Sequence, residues 1–133
     1  TKAVLPWMIA AKKGSIVNIA SVVGLKGVAY MSAYGAAKAG LINFSRASAI
    51  EAAPYVRVNC IIPGAVLTPA TKRAIPNDDL LEATKNAIPL KRIAEPIELA
   101  RPILFLLSSD ASFITAASLV VDGGKTGDLN AGN

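Results

Sequence analysis

Histidine is missing from this chain, and cysteine occurs once, at Cys60. The lack of histidine excludes a histidine-based hydrolase triad and histidine-ligated metal sites, and we expect no metal centre. A single cysteine excludes an internal disulfide framework, and the apolar stretch 58–62 around it indicates a buried strand thiol and not a nucleophile. Any proton transfer must therefore fall to tyrosine, lysine or a carboxylate.

Charged residues are also scarce, at 17% of the sequence, whereas hydrophobic residues make up 53%. The chain is therefore no disordered tail, and it has the material for a core. Its net charge is +5 and its pI is near 9.6, but the basic residues are scattered and form no run longer than a pair. Because no basic stripe is interleaved with aromatics, we expect a solvated surface and no nucleic-acid partner.

Targeting signals are absent as well, since the sequence contains no signal peptide, transmembrane run or lipidation motif. We therefore expect a cytoplasmic protein without a membrane partner. The sequence begins with Thr1 and opens as if inside a helix, which indicates a partial sequence. Its 133 residues fit one domain or part of one.

Apolar runs and chain breakers alternate along the sequence and predict strands and helices in turn. The predicted elements are strands at 15–20, 55–62 and 118–121, helices at 1–12, 32–53 and 95–109, and short helices within 65–93. Ser32 is the predicted N-cap of the second helix, and Pro63-Gly64 is predicted to end the second strand. This alternation predicts an α/β fold with a parallel sheet, whose ligands bind beyond the carboxyl ends of the strands.

Tyr34 and Lys38 lie four residues apart near the start of the second predicted helix, and hence on one face. The cation and the helix dipole both favour the phenolate, so the pair is suited to exchange a proton with an alcohol or carbonyl oxygen. Ser21 follows the first strand and is placed to polarise that oxygen. Alone, this spacing is a weak signal that also describes an exposed helix pair. Gly35 and Gly40 predict a close approach of another backbone or a ligand.

Four segments in order resemble the signatures of one family. The runs GSIVNIAS, YGAAKAG and VRVNCIIPG, followed by LVVDGG, resemble successive motifs of the classical short-chain dehydrogenases/reductases. The thirteen-residue separation of Ser21 and Tyr34 is usual in that family, and the resemblance covers nearly the whole chain. It implies a Rossmann-like doubly wound parallel sheet in three α/β/α layers. Residues 1–133 would form the C-terminal part of a single NAD(P)-binding domain whose N-terminal half is missing.

The resemblance also implies roles for individual residues. Tyr34 would be the general acid/base, Lys38 would assist it and hydrogen-bond the nicotinamide ribose, and Ser21 would orient the substrate oxygen. The cofactor, NAD or NADP, would further contact the loop residues Pro63, Gly64, Val66 and Thr68. The implied reaction passes hydride between the nicotinamide and an alcohol or ketone, as in a 3-oxoacyl reductase or a small secondary alcohol dehydrogenase.

Further implied features concern the surroundings of this site. Segment 67–91 would form a substrate lid over a small-molecule alcohol or ketone. The complete protein would be a homodimer or homotetramer, built partly on the helix that carries Phe44. Asn18 and Asn59 resemble strand-end asparagines whose amides support the site loops, and for Asn59 plain loop hydrogen bonding is an equal alternative.

The sequence departs from the family pattern in three places. It lacks the glycine-rich turn with the residue that selects NAD or NADP, and it lacks the family's catalytic asparagine. Ala116 stands where relatives often have glycine. We therefore expect the chain alone to be inactive. A non-catalytic scaffold and a lyase or epimerase on the same fold are the alternatives, against which the intact Ser21, Tyr34 and Lys38 argue.

Overall fold

A computed structural model describes residues 1–128 and contains one parallel sheet within that range. Its strands are β1 (Gly14–Ile19), β2 (Val56–Pro63) and β3 (Ser118–Val121). β2 lies in the centre and pairs in parallel with both neighbours, with Ile19 opposite Ile61 and Pro63 opposite Val121. The predicted parallel sheet is confirmed, and all three strands end at the same edge.

Helices connect the strands and follow the predicted order. They are α1 (Leu5–Ala10), α2 (Ser32–Ala52), α3 (Pro69–Ala74), α4 (Asp78–Asn86) and α5 (Pro96–Leu107), with single 3-10 turns at Val22–Gly24 and Ser109–Ala111. Each strand-to-strand connection contains a helix, as a parallel pair requires. The two short helices α3 and α4 occupy the segment for which short helices were predicted.

The helices cover both faces of the sheet, which confirms the three-layer α/β/α architecture. Side chains of β2 alternate between the faces: Val56 and Val58 pack with α1 and α2, whereas Ile61 packs with α5. Val58 and Ile61 are fully buried. Burial of a side chain of this size contributes about 1.5–3 kcal/mol, so β2 anchors both layers.

Two predicted helix boundaries were wrong, and one predicted strand end was right. Ser32 is the first residue of α2 and not its cap; Met31 is the N-cap, and its side chain makes no capping hydrogen bond. The predicted end of the second strand is confirmed, since Pro63 is the last residue of β2 and Gly64 lies outside it. The first helix is limited to Leu5–Ala10, since a left-handed Lys12 ends it.

Two features are absent from residues 1–128. No helix in this range combines the length and the apolarity needed to cross a bilayer. The same residues contain no cluster of three or more histidine, cysteine or acidic side chains suited to a metal ion. Residues 129–133 of the predicted domain lie outside the described range.

Candidate active site

The candidate residues gather at the edge of the sheet where the parallel strands end. Ser21 follows β1, Gly64 follows β2 and Asp122 follows β3. The hydrogen bond from Ala20 N–H to Ile61 O, at 2.8 Å, extends the pairing of β1 beyond its last residue. This edge is where open α/β sheets bind their ligands.

Tyr34 and Lys38 occupy the first two turns of α2 on one face. The Lys38 ammonium nitrogen lies 5.6 Å from the centroid of the Tyr34 ring, within the range of a cation–π contact. The same nitrogen donates to the carbonyl oxygen of Ile19 at 2.9 Å. Tyr34 is 44% exposed, so its ring is accessible from solvent. Lys38 therefore connects the end of β1 to an accessible phenol.

Ser21 is held by the short turn that follows it. Its backbone is extended, and its Oγ accepts a hydrogen bond from the Val23 N–H at 3.3 Å, which leaves the hydroxyl hydrogen to donate elsewhere. The turn packs directly on α2, because a Cβ on Gly24 would lie 2.8 Å from Ala39 N. Close packing of the two backbones fixes the loop of Ser21 against the helix of Tyr34.

The glycines of α2 have different surroundings. A Cβ on Gly35 would lie 3.1 Å from the carbonyl oxygen of Val23, so the predicted close approach of another backbone is confirmed there. At Gly40, nothing in residues 1–128 apart from the adjoining backbone of α2 lies within 4 Å of a Cβ at that position, so the close approach stays a prediction there. Gly35 thus serves the packing of the Ser21 loop, whereas Gly40 faces open space.

Pro63 is the last residue of β2, and the predicted cofactor residues Gly64, Val66 and Thr68 follow it along the chain. Gly64 passes so close to β3 that a Cβ would lie 2.8 Å from the Asp122 Cβ. Val66 forms an isolated parallel bridge with Ala94. The hydrogen bonds of this bridge join Ala94 to the neighbours of Val66, and the N–H of Val66 itself has no partner within residues 1–128. Thr68 caps α3 by accepting from Thr71 N–H at 3.2 Å.

The two asparagines do not behave alike. Asn18 lies near the end of β1 and donates to Ser45 Oγ on α2 at 2.9 Å. Asn59 lies in the middle of β2 and not at its end, and it is fully buried. Its amide donates to Ile114 O at 2.9 Å and its Oδ1 accepts from Ala117 N–H at 3.0 Å, so it holds the loop before β3. Within residues 1–128, Asn59 therefore makes plain loop hydrogen bonds, which was the alternative predicted for this residue.

A second long-range anchor was not predicted from the sequence. Arg57 directs its guanidinium under the last turn of α5, where it donates to Leu106 O at 2.8 Å, Ser108 O at 2.9 Å and Ile114 O at 3.2 Å. Leu106 O and Ser108 O lie at the end of α5, where helix carbonyls lack intrahelical donors. Leu106 O accepts from Ser15 Oγ as well, and Ile114 O is shared with Asn59. The run VRVNC did contain a signal for this anchor, because its two polar residues alternate with apolar ones. Polar side chains at such positions lie on one face of a strand, here the face opposite α2, and need hydrogen-bond partners when they are buried.

Ionisable groups near the site differ in their surroundings. Burial tends to raise the pKa of Asp122, but hydrogen bonds from Thr126 and from the Gly124 N–H outweigh burial and hold that pKa below its usual value. Asp122 thus stays charged and organises the turn after β3. Burial raises the pKa of the Cys60 thiol, and the residue is fully buried, as predicted for an inert strand cysteine.

Comparison with known proteins defines the class. A family model described as enoyl-(acyl carrier protein) reductase matches residues 1–126. Cyclopentanol dehydrogenase of Comamonas testosteroni is 40% identical over 127 residues, which are 95% of this chain and 51% of that protein. The 3-oxoacyl-(acyl-carrier-protein) reductase of Chlamydia trachomatis serovar D is 46% identical over 123 residues, 92% of this chain and 49% of that protein. The chain belongs to the short-chain dehydrogenase/reductase family.

A solved structure supports the same conclusion. Gluconate 5-dehydrogenase from Burkholderia cenocepacia, in complex with NADP and tartrate, superposes with a TM-score of 0.90 at 28% identity. The match covers 96% of this chain and 51% of that one. The chain therefore spans about half the length of the relatives that it matches, and the Rossmann-like fold assigned from its motifs is confirmed.

Proposed function

We propose that the protein containing this chain is an NAD(P)-dependent oxidoreductase that interconverts an alcohol and a ketone. The observation that carries the proposal is the link between Tyr34, Lys38 and the end of β1. The Lys38 ammonium lies against the Tyr34 ring and donates to Ile19 O at 2.9 Å, so the helix and the strand end hold one cation beside one accessible phenol. The 3-oxoacyl reductase and alcohol dehydrogenase relatives support this class of reaction.

The residues of the chain would handle the proton and the substrate oxygen. In oxidation, the Tyr34 phenolate removes the hydroxyl proton of the alcohol; in reduction, the Tyr34 phenol donates a proton to the carbonyl oxygen. The adjacent Lys38 ammonium favours the phenolate by its charge. Ser21 donates its free hydroxyl hydrogen to the same substrate oxygen and polarises it. A bound nicotinamide supplies or accepts the hydride.

The residues after β2 suit a nicotinamide cofactor, NAD or NADP. Val66 offers an unpaired N–H at the carboxyl edge of the sheet, a donor that suits a carboxamide oxygen. Lys38 uses one of its three N–H donors on Ile19 O and keeps the others for a ribose hydroxyl. Thr68 and the loop at Pro63 and Gly64 border the same edge. NADP in the Burkholderia structure supports this cofactor class.

Segment 67–91 is the proposed substrate lid. Its last part is anchored on the end of β3, where Leu90 N–H donates to Gly123 O at 3.2 Å and Ile88 is buried. Gly123 has a positive φ of 66°, and a Cβ there would lie 2.7 Å from Ile88, so glycine allows this contact. We expect hydrogen exchange in α3 and α4 to slow when cofactor and substrate bind, and unchanged exchange would contradict the lid.

The proposal extends to assembly and substrate size. Phe44 lies on α2 with 48% of its surface exposed, whereas Ile42 on the same helix is buried against the sheet. An exposed aromatic on this helix supports a homodimer or homotetramer of the complete protein. The small cyclic alcohol named for the Comamonas relative supports a small-molecule substrate.

The test replaces the phenol in a full-length protein that contains this chain. Tyr34→Phe should lower kcat by about 10²–10⁴-fold, the usual contribution of a general acid/base, and leave cofactor affinity nearly unchanged. Tyr30→Phe is the matched control, because Tyr30 is a fully exposed phenol four residues earlier and should keep full activity. A Tyr34→Phe enzyme that turns over within about tenfold of the parent would contradict the proposal.

A further inference from the structure

The opposite edge of the sheet, where the strands begin, carries a second polar recess. A cleft of about 550 Å³ opens between the start of β1 and the end of α5. Its lining includes Lys12, Lys13 and Arg57, together with the hydroxyls of Ser109 and Ser112, and no acidic side chain. None of the three cations forms an ion pair within residues 1–128. Positive charge is therefore concentrated in a concave surface without a protein counterion.

Several hydrogen-bond donors of this cleft are not used by residues 1–128. Arg57 gives three of its five N–H groups to carbonyls and retains the Nε hydrogen and one Nη2 hydrogen. The hydroxyls of Ser109 and Ser112 make no hydrogen bond to any described residue. Asp110 lies on the same turn but does not line the cleft. Unused hydrogen-bond donors beside three positive charges suit an oxyanion that carries more than one negative charge.

Lys12 is placed at this edge by an unfavourable backbone conformation. Its φ is 51°, in the left-handed region where glycine normally ends a helix. The bonds from Lys12 N–H to Ile9 O and from Lys13 N–H to Met8 O close that turn. The Lys12 ammonium then lies 5.8 Å from the centroid of the Tyr55 ring, a contact that orients it at the cleft. A lysine stands where glycine would be less strained.

We propose that this cleft binds a phosphate group, either free or as a small phosphate monoester. Lys12, Lys13 and Arg57 supply the charge, and the two serine hydroxyls supply further donors to the phosphate oxygens. A concave recess with donors on several sides fits a compact tetrahedral anion, which accepts hydrogen bonds in every direction. The site lies at the amino edge of the sheet, away from Ser21 and Tyr34.

The experiment measures phosphate binding to a full-length protein that contains this chain. Titration calorimetry with inorganic phosphate, against potassium chloride of equal ionic strength, should give saturable binding with Kd on the order of 1 mM. Glycerol 3-phosphate is titrated in parallel: equal affinity assigns the site to the free anion, and tighter binding assigns it to a phosphorylated small molecule. Binding that does not exceed the chloride control overturns the proposal.

Two glycine variants locate the site. Lys12→Gly removes the ammonium and also relieves the left-handed strain, so it should raise Kd for phosphate by about tenfold while the protein remains at least as stable. Lys91→Gly is the matched control, because Lys91 has nearly the same φ, 55°, and lies outside the cleft. Equal affinity in Lys12→Gly and the parent, or equal losses in both variants, would overturn the assignment.

Discussion

The two sides of β2 are joined to the rest of the molecule in different ways. Towards β3 and α5, Arg57 and Asn59 make five hydrogen bonds to backbone groups across about fifty positions of sequence. Between β1 and α2 the packing is apolar, and the side-chain hydrogen bonds among residues 1–128 are two: Asn18 to Ser45 Oγ, and Lys38 to Ile19 O. The side of β2 that faces β3 and α5 is therefore called the closed side, because its polar groups bond to one another. The side that faces β1 and α2 is called the accessible side, because its polar groups lie at an open edge of the sheet.

From this difference we expect the stability of the fold and the proposed chemistry to depend on separate parts of one small sheet. Asn59 is fully buried, and its amide nitrogen and its amide oxygen each bond to the backbone of the loop before β3. Tyr34 is 44% exposed, and its hydroxyl makes no hydrogen bond within residues 1–128. Satisfied groups stabilise a fold, whereas unsatisfied and accessible groups are the ones that can act on a substrate.

The largest effect on stability is expected on the closed side. Asn59→Ala leaves Ala117 N–H without its partner, removes one of the two donors to Ile114 O and empties a buried site. We therefore expect a loss of about 3 kcal/mol in the free energy of unfolding. Chemical denaturation of a full-length protein that contains this chain would measure it. Asn43→Ala, at an exposed position of α2, is the control and should change stability by less than about 0.5 kcal/mol. Comparable effects of both substitutions would remove the distinction between the two sides.

Much of the accessible side followed from local sequence. The i,i+4 spacing put Tyr34 and Lys38 on one helix face, and the turn after an apolar run put Ser21 at the end of β1. The order of strands and helices fixed which edge these residues share. The contact of Lys38 with Ile19 O did not follow, because it depends on how α2 packs against β1.

Little of the closed side could be predicted, for a physical reason. The partners of Arg57 and Asn59 are backbone carbonyls and an amide that lie far along the chain and carry no residue signature. The prediction that Ser32 caps α2 was wrong by one residue. Residue preferences do not resolve a helix boundary to a single position. Residue identity predicts local geometry well and long-range backbone contacts poorly.

The next largest effect concerns the accessible side. Lys38→Met removes the cation beside Tyr34 and the donor to Ile19 O, so we expect kcat/KM and cofactor affinity each to fall by about 10–100-fold. Steady-state kinetics and cofactor titration would measure both losses. Lys26→Met, an exposed lysine of the preceding loop, is the control. If cofactor affinity and the pH profile of kcat both stayed unchanged, Lys38 would be a structural tie and the two sides would be alike.

A smaller effect, of opposite sign, is expected where the closed side is strained. Ala116 has a φ of 59°, a left-handed conformation in the loop that Asn59 holds. Ala116→Gly relieves this strain and should raise the free energy of unfolding by about 0.5–1 kcal/mol. The loss of the partly buried methyl group of Ala116 reduces that gain. Ala117→Gly is the control, because Ala117 has no positive φ and should lose stability. Destabilisation by both changes would show that the conformation is not strained.

The smallest effect is expected at the surface, where Glu98 joins Arg92 to the start of α5. Glu98 accepts both guanidinium hydrogen bonds of Arg92 at 2.6 Å and the Glu95 N–H at 2.9 Å. The hydrogen bond from Arg92, followed by that from Glu95 N–H, lowers the pKa of Glu98 from 4.5 to about 2. A carboxyl with a lowered folded-state pKa stabilises the fold above its unfolded value, and this contribution is lost as pH falls from 4.5 towards 2. Glu98→Gln should therefore be less stable than the parent at neutral pH, and the gap should close over that same window.

Urea unfolding of both proteins at several pH values would measure the gap, with Glu82→Gln as the control, since that change removes an ion pair within α4 and no helix-start hydrogen bond. The ion pair of Glu98 with Arg92 lies at the surface, so added salt should narrow the gap as well. A gap that stayed constant between neutral pH and 2 would mean that the carboxylate charge contributes nothing, and that the start of α5 is held by packing alone.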